Sequence, residues 1–182
     1  MENNASGAGV KLGGLFNTTD IKILICYLLA TINEPIPANM LANLLHYEGI
    51  ANAFEVSDAI VTLARNGQIE QYDEKEDTYI ITESGKNTAE TLKTSISYSV
   101  KDRAYAAAIK MLSRFKNAKD TSFELKKENG KLYYTCSILD RNIPFFSVTL
   151  QITDEDQAKI IKEKFLDDPA KIYSLFIDNI TE

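Results

Sequence analysis

The segment between Ile21 and Ile32 is apolar on almost every side. Six of its apolar residues recur at helical spacing: Ile21, Leu24, Ile25, Leu28, Leu29 and Ile32. Ile23 and Tyr27 fall on the opposite side of the same helix. A helix that is apolar nearly all round must be covered on both faces. We therefore expect a second domain of the chain, or a second copy of it, to pack against this helix.

Two further helices are predicted directly after the first. Pro35 and Pro37 lack a backbone donor and end the first helix, and Pro37 suits the first turn of a second helix that runs to about Tyr47. A third helix is predicted from about Asn52 to Asn66, with Gly67 as its left-handed cap. Its expected buried stripe is Val56, Ala59, Ile60 and Leu63.

A hairpin and a fourth helix complete the first half of the chain. Alternating apolar residues on both sides of the acidic segment 73–77 indicate two short strands around a tip. Thr82 then caps a helix that carries three apolar residues on one face: Ala89, Leu92 and Ile96. Residues 1–15 are polar and Gly-rich and are predicted to form a flexible leader.

The second half predicts a small α+β domain over residues 98–182. A helix from about Tyr98 leads into a three-stranded antiparallel meander, in which Asn129-Gly130 is a strong hairpin signal because both positions tolerate positive φ. Thr153 and Asp156 form a capping-box pattern at the start of the next helix. A last helix opens at Asp168-Pro169, and four of its residues are expected to be buried: Ile172, Leu175, Phe176 and Ile180.

One face of the meander remains without a predicted cover. Tyr133 and Phe145 are expected on the face that the closing helices do not occupy. A dimer contact, an effector pocket and a simply covered sheet all remain open for this face. Of these we favour dimerisation, since regulators with paired half-sites are usually dimeric.

Charge and cysteine content narrow the classes of function. Residues 1–95 hold 6 basic against 13 acidic residues, whereas residues 96–182 hold 14 against 13. Phosphate contacts supply most non-specific affinity for nucleic acid, so the acidic first half argues against indiscriminate binding. Cys26 and Cys136 lie in apolar patterns and are predicted to be buried free thiols. The sparse cysteines and the lack of a signal-peptide pattern predict a cytoplasmic protein, and no apolar run is long enough for a membrane span.

We predict that the protein is not an enzyme and has no catalytic residue, metal site or cofactor. His46 is the only histidine, so a metal pair of histidines is excluded and we expect no conventional Cys-His-Asp set. No glycine-rich phosphate loop is present in the sequence. The acidic run 154–156 resembles a metal cluster, but acids in the first turn of a helix are explained by its macrodipole.

Two segments of the first half resemble parts of a winged helix-turn-helix domain. One segment resembles the end of a recognition helix: Val56-Ser57-Asp58-Ala59-Ile60 with Asn66-Gly67-Gln68-Ile69. The other segment resembles the strand-to-helix junction that closes many bacterial wings: Tyr79-Ile80-Ile81-Thr82-Glu83-Ser84-Gly85. The resemblance implies a winged helix-turn-helix domain over residues 16–97.

The whole chain from about Phe16 to Ile180 is also similar to a bacterial family of unknown function numbered 4364. The second-half features that carry this similarity are Asn129-Gly130, 152–158 and Ile172-Tyr173. Members of that family are often labelled predicted transcriptional regulators. The resemblance therefore implies a winged-helix fold and DNA binding, and it supplies no catalytic residue and no ligand.

If the protein binds double-stranded DNA, the third helix and the hairpin tip are the expected contacts. The DNA-binding residues predicted on them are Asn52, Ser57, Thr62, Arg65 and Lys75. Glu55, Asp58 and the acidic tip, which includes Glu74, Glu76 and Asp77, oppose binding of a polyanion.

A basic face on the following helix comprises Arg103, Lys110 and Arg114. Three interpretations remain open for this face: contact with the DNA backbone, a solvated surface that balances the acidic first half, or docking against the acidic surface that contains Glu74 and Asp77.

The working hypothesis is a cytoplasmic, homodimeric transcriptional regulator of the winged-helix type. Its second domain would set the oligomeric state or sense a signal. The alternative is an acidic winged helix that binds a protein and not DNA.

Overall fold

The apolar first helix is covered on both sides within its own part of the chain. The computed structural model describes residues 9–11, 13–75 and 77–181, so most of the predicted leader and Glu76 lie outside the described residues. The chain separates into two units, residues 1–111 and 112–182. The sequence analysis placed the domain boundary at residue 98, and the structural boundary lies inside a long helix.

The first unit begins with seven elements in the following order. They are α1 (Thr18–Ile32), β1 (Ile36–Pro37), α2 (Ala38–Tyr47), α3 (Ala53–Arg65), β2 (Ile69–Asp73), β3 (Thr78–Ile81) and α4 (Glu83–Leu92). A 3₁₀ turn, Lys93–Ser95, follows α4, and α5 (Tyr98–Lys119) then crosses the boundary between the units.

Helix α1 is buried because α3 and α4 both pack against it. The side chain of Asn17 accepts a hydrogen bond from the backbone N–H of Thr19 at 2.8 Å and caps the start of the helix. Leu24 and Leu28 have no exposed surface, and Ile23 on the opposite side is only 4% exposed. Both faces are covered, as expected, but the cover comes from helices of the same unit and not from a second domain or a second copy.

A small antiparallel sheet joins distant parts of the first unit. Its strand order is β1-β3-β2, and Ile36 and Pro37 pair with Tyr79 and Thr78. The β2–β3 hairpin agrees with the prediction, whereas β1 was not predicted. A strand of two residues is too short to show an alternation pattern, so Ile36 and Pro37 are recognised as a strand only by their pairing with β3.

The described part of the leader is attached to the end of α2. The backbone N–H of Lys11 donates to the carbonyl oxygen of Gly49 at 2.8 Å, and that of Leu15 donates to Ile50 at 2.7 Å. These bonds hold residues that the sequence analysis assigned to a flexible segment.

The second unit has a three-stranded meander covered by two helices. Its elements after α5 are β4 (Thr121–Glu128), β5 (Lys131–Asp140), β6 (Ile143–Ile152), α6 (Glu155–Asp167) and α7 (Pro169–Thr181). The strands pair in the order β4-β5-β6. Asn129 and Gly130 have φ values of 52° and 78°, as the hairpin prediction requires. The mixed α+β class predicted from the sequence is confirmed.

A β-bulge overturns the prediction that Phe145 shares a face with Tyr133. Ile138 pairs with Phe146 and Leu139 pairs with Pro144, which leaves Phe145 as an extra residue in β6. A bulge changes the alternation of side chains locally. The Phe145 and Phe146 rings both contact Tyr173 of α7, at centroid distances of 5.5 and 5.4 Å.

The expected capping box at the start of α6 is displaced by one residue. Asp154, and not Thr153, is the cap, and its carboxylate accepts a hydrogen bond from the backbone N–H of Gln157 at 2.8 Å. This bond is the main cause of a lowered pKa at Asp154. Asp154 thus has a structural role as the cap at the start of α6.

The burial predicted for the last helix is wrong for three of four residues. Leu175, Phe176 and Ile180 of α7 are 52%, 49% and 62% exposed, and Ile172 is half-buried. Leu92 in α4 is likewise 40% exposed. None of the described helices is long and apolar enough to cross a membrane.

Candidate functional site

The outward surface of α3 is a single stripe of five exposed residues. We call this stripe the α3 face, and it comprises Phe54, Ser57, Asp58, Val61 and Arg65. These positions follow a helical repeat, and they lie opposite the buried stripe that the sequence analysis identified correctly. Phe54 is 86% exposed and Val61 is 52% exposed. Two exposed apolar side chains on one face of a helix make that face a candidate interaction surface.

Asn52 does not point outward as the sequence analysis expected. Its side chain is only 7% exposed and accepts a hydrogen bond from the backbone N–H of Phe54 at 2.9 Å. Asn52 is therefore the N-cap of α3. Glu55 and Thr62 are half-buried at the margins of the α3 face.

The remaining predicted contacts of α3 and the hairpin are exposed. Ser57 donates its hydroxyl proton to the carbonyl oxygen of Ala53 at 3.0 Å, and Arg65 lies in the last turn of α3. At the hairpin tip, the backbone N–H of Lys75 donates to the carboxylate of Asp73 at 2.8 Å. These three exposed positions are available to a partner.

The charge of this surface is mainly negative. Helix α3 packs beside β2, the first strand of the hairpin. Among the described residues of the α3 face and hairpin, five exposed acids accompany only two exposed bases: Asp58, Glu70, Asp73, Glu74 and Asp77 against Arg65 and Lys75. The surface thus combines an apolar helix face with acidic neighbours.

The predicted basic face of α5 is not a row of free cations. Arg114 forms an ion pair with Glu163 and a second with Asp167, at 3.5 Å, both on α6. Arg103 is half-buried, and its Nε and Nη2 make no hydrogen bond to any described residue. Lys110 alone of the three is well exposed. Acids of α6 thus neutralise part of this face, and they are not the acids of the hairpin tip that the sequence analysis considered.

The second unit contains a cavity of about 270 Å³ beside the β-bulge. Phe145, Tyr173 and Leu139 contribute apolar walls, and Asp120 and Asn117 contribute polar groups. Its volume lies just below the usual range for ligand pockets. The other face of the sheet is polar, with hydroxyl pairs Thr135–Thr149 and Ser137–Ser147, each at 2.9 Å.

A family model described as Domain of unknown function (DUF4364) matches residues 21–180 of the chain. The chain belongs to this family. The match runs from the first turn of α1 to the last turn of α7, so it covers most of both units of this DUF4364 protein. Comparison with curated proteins and with solved structures gave no match.

Sequence reasoning missed the two most exposed apolar residues of the site in this DUF4364 protein. Phe54 and Val61 are seven residues apart, and both fall on the side of α3 opposite Val56 and Leu63. An apolar pair at i and i+7 on a polar face is a signal that the sequence contains. The residues predicted for this face were instead those that hydrogen-bond to DNA, and neither Phe nor Val does so.

Both thiols of the DUF4364 protein are expected to be inert. Cys26 and Cys136 are buried and free, and burial raises the pKa of each thiol to about 11. Since the thiolate is the reactive form, a chromogenic disulfide reagent at neutral pH should modify neither cysteine in the native protein. In urea it should titrate both. Rapid reaction of either thiol under native conditions would contradict this expectation.

Proposed function

We propose that the first unit of this DUF4364 protein is a winged helix-turn-helix module that binds a protein through the α3 face and performs no catalysis. The order α1, β1, α2, α3, β2, β3 supports the winged-helix assignment. So does the sheet order β1-β3-β2. In that assignment α3 occupies the position of the recognition helix and the β2–β3 hairpin is the wing.

The exposure of Phe54 is the observation that carries the proposal. Aromatic side chains are enriched among the residues that dominate protein interfaces. Val61 extends the apolar surface along the same face, and Arg65 is the only cation on it. The favoured partner is a protein with an apolar pocket bordered by Lys or Arg, because such a rim complements the acidic hairpin.

Binding of double-stranded DNA is the second candidate. The observation that favours it is the exposure of Ser57 and Arg65 on α3 and of Lys75 at the hairpin tip. These side chains are able to contact phosphates or base edges. Phosphate contact from two cations among five acids is weak, so protein binding ranks first.

A titration with duplex DNA separates the two candidates. We expect no saturable change in fluorescence anisotropy when a labelled pool of random duplexes is titrated with the protein at low salt. Binding that weakens steeply as salt rises, and that Arg65→Ala removes, would instead support the DNA-binding candidate and overturn the proposal.

A paired set of variants tests the α3 face directly. Phe54→Ser/Val61→Ser should lower the affinity for the protein partner by roughly 30-fold or more, since the loss of one dominant interface residue such as Phe54 costs about 2 kcal/mol. Tyr98→Ser/Leu92→Ser is the matched control, because these residues are 79% and 40% exposed elsewhere in the unit. Quantitative comparison of proteins retained by wild type and both variants is the measurement. Equal retention by all three would exclude the α3 face as the docking site.

A further inference from the structure

Helix α7 presents apolar side chains that its own unit does not cover. Leu175 is 52% exposed, and Ile180 is 62% exposed. Phe176 contacts the ring of Phe146 at 5.6 Å but keeps 49% of its surface exposed. The second unit therefore uses only part of the apolar surface of α7 for its own core. Leu175 lies on a different side of the helix from Phe176 and Ile180, so Leu175 is the apolar residue of the row described next.

Two exposed charges lie in line with Leu175. Lys171, Leu175 and Asp178 are spaced at i, i+4 and i+7, so they form one row along the helix. The two charges are roughly 10 Å apart at the usual helical rise. Both side chains are exposed. The row thus has an apolar centre, a cation at one end and an anion at the other.

These charges are placed against the preference of the helix itself. Helices favour acids in the first turn and bases in the last turn. Helix α7 has no acid in its first turn and no base in its last turn. Lys171 lies in the first turn and Asp178 in the last, so neither charge is explained by stabilisation of α7. The pattern is complementary to a second helix that presents the same charges in the reverse order.

We propose that a second copy of the chain docks on α7, with the two α7 helices antiparallel across a twofold axis. In an antiparallel pair the same flank of each helix meets its counterpart. Lys171 of one copy then faces Asp178 of the other, and the reciprocal pair forms on the opposite side of the axis. Leu175 of each copy lies close to the axis, which passes between positions 174 and 175. The interface is isologous, as expected for a closed dimer.

The row of charges selects this occupant and this orientation. A parallel pair would place Lys171 against Lys171 and Asp178 against Asp178, and both contacts are repulsive. Reversal of one helix turns both contacts into attractive pairs. The row is therefore complementary to itself only when antiparallel. The inference is independent of what the α3 face binds.

Charge exchange tests the dimer without disturbing the helix. Lys171→Glu places Glu against Asp178 of the second copy, and Asp178→Lys places Lys against Lys171. Each substitution should raise the dimer dissociation constant roughly tenfold or more, measured by sedimentation equilibrium, because two attractive pairs become repulsive. Both substitutions improve the match between the charges of α7 and its macrodipole. Unfolding of α7 would therefore not explain a weaker dimer. The double variant Lys171→Glu/Asp178→Lys should recover the wild-type dissociation constant.

An apolar variant tests the centre of the same interface. Leu175→Ser should give a monomer at concentrations where the wild type is dimeric. Val61→Ser is the matched control, since Leu175 and Val61 are both 52% exposed, and it should leave the dimer intact. A wild-type protein that is monomeric throughout the concentration range would overturn the proposal. Failure of the double charge variant to restore the dimer would do the same.

Discussion

Truncation of Leu28 to alanine is expected to lower the free energy of unfolding by about 3 kcal/mol. Leu28 lies in the middle of α1 and has no exposed surface. Helices α3 and α4 pack against α1, so collapse around the deleted atoms would require two helices to move at once. Incomplete collapse leaves a cavity, and its cost adds to the lost transfer free energy of the side chain.

Leu92→Ala supplies the matched control for this prediction. It removes the same atoms from another helix of the same unit, but Leu92 is 40% exposed. The expected loss is less than about 1 kcal/mol. Urea titrations followed by far-ultraviolet circular dichroism give both values. Similar losses for the two variants would mean that α1 is not the buried centre of the first unit.

The elements that the sequence predicted well are those fixed by local patterns. The apolar repeat of α1 specified a buried helix because almost every face of it excludes water. The Asn129-Gly130 turn specified its hairpin because both residues tolerate the positive φ that the turn requires. In the third helix, Gly67 has a φ of 67° and ends α3 as expected.

The features that the sequence analysis missed depend on pairing between distant segments. Strand β1 exists because Ile36 and Pro37 meet β3, and two residues contain no periodicity to detect. The bulge at Phe145 depends on the register between β5 and β6. The sequence does not reveal that register, so simple alternation of side chains along β6 predicted the wrong face of the sheet for Phe145.

For the candidate site, composition predicted the acidic hairpin, but residue types alone gave the wrong role to Asn52. Asn is suited both to hydrogen bonds with bases and to helix caps. Asn52 lies one residue before α3, and this position makes it the N-cap of the helix and not a DNA contact. For Arg114 the deciding contacts are Glu163 and Asp167, which lie on another helix and about fifty positions along the chain. No local pattern connects them.

Gly85 is the position at which the smallest change should have a large effect. A Cβ at this residue would lie 2.0 Å from the carbonyl oxygen of Gln68 and 2.4 Å from Cδ1 of Ile81. The same Gln68 oxygen accepts hydrogen bonds from the backbone N–H of Thr82, at 3.2 Å, and from its hydroxyl, at 2.9 Å. The carbonyl therefore cannot move away from α4 without breaking the junction that begins the helix.

We expect Gly85→Ala to lower the free energy of unfolding by about 3 kcal/mol, at the upper end of the usual cost of overpacking. In an unobstructed helix the same change stabilises by up to about 1 kcal/mol, so the sign alone tests the close approach. Ser84→Ala, at an exposed position in the same turn, should change stability by no more than about 0.5 kcal/mol. Urea titrations of the three proteins provide the comparison.

A Gly85→Ala variant as stable as the wild type would contradict the close packing of α4 on Gln68. The consequence also reaches the candidate site, because Gln68 directly precedes β2 and its backbone N–H donates to the carbonyl oxygen of Leu63 in α3 at 2.9 Å. Displacement of Gln68 would therefore disturb both the end of α3 and the base of the hairpin. We expect the Gly85 variant to lose affinity for the partner of the α3 face, although Gly85 is not part of that face.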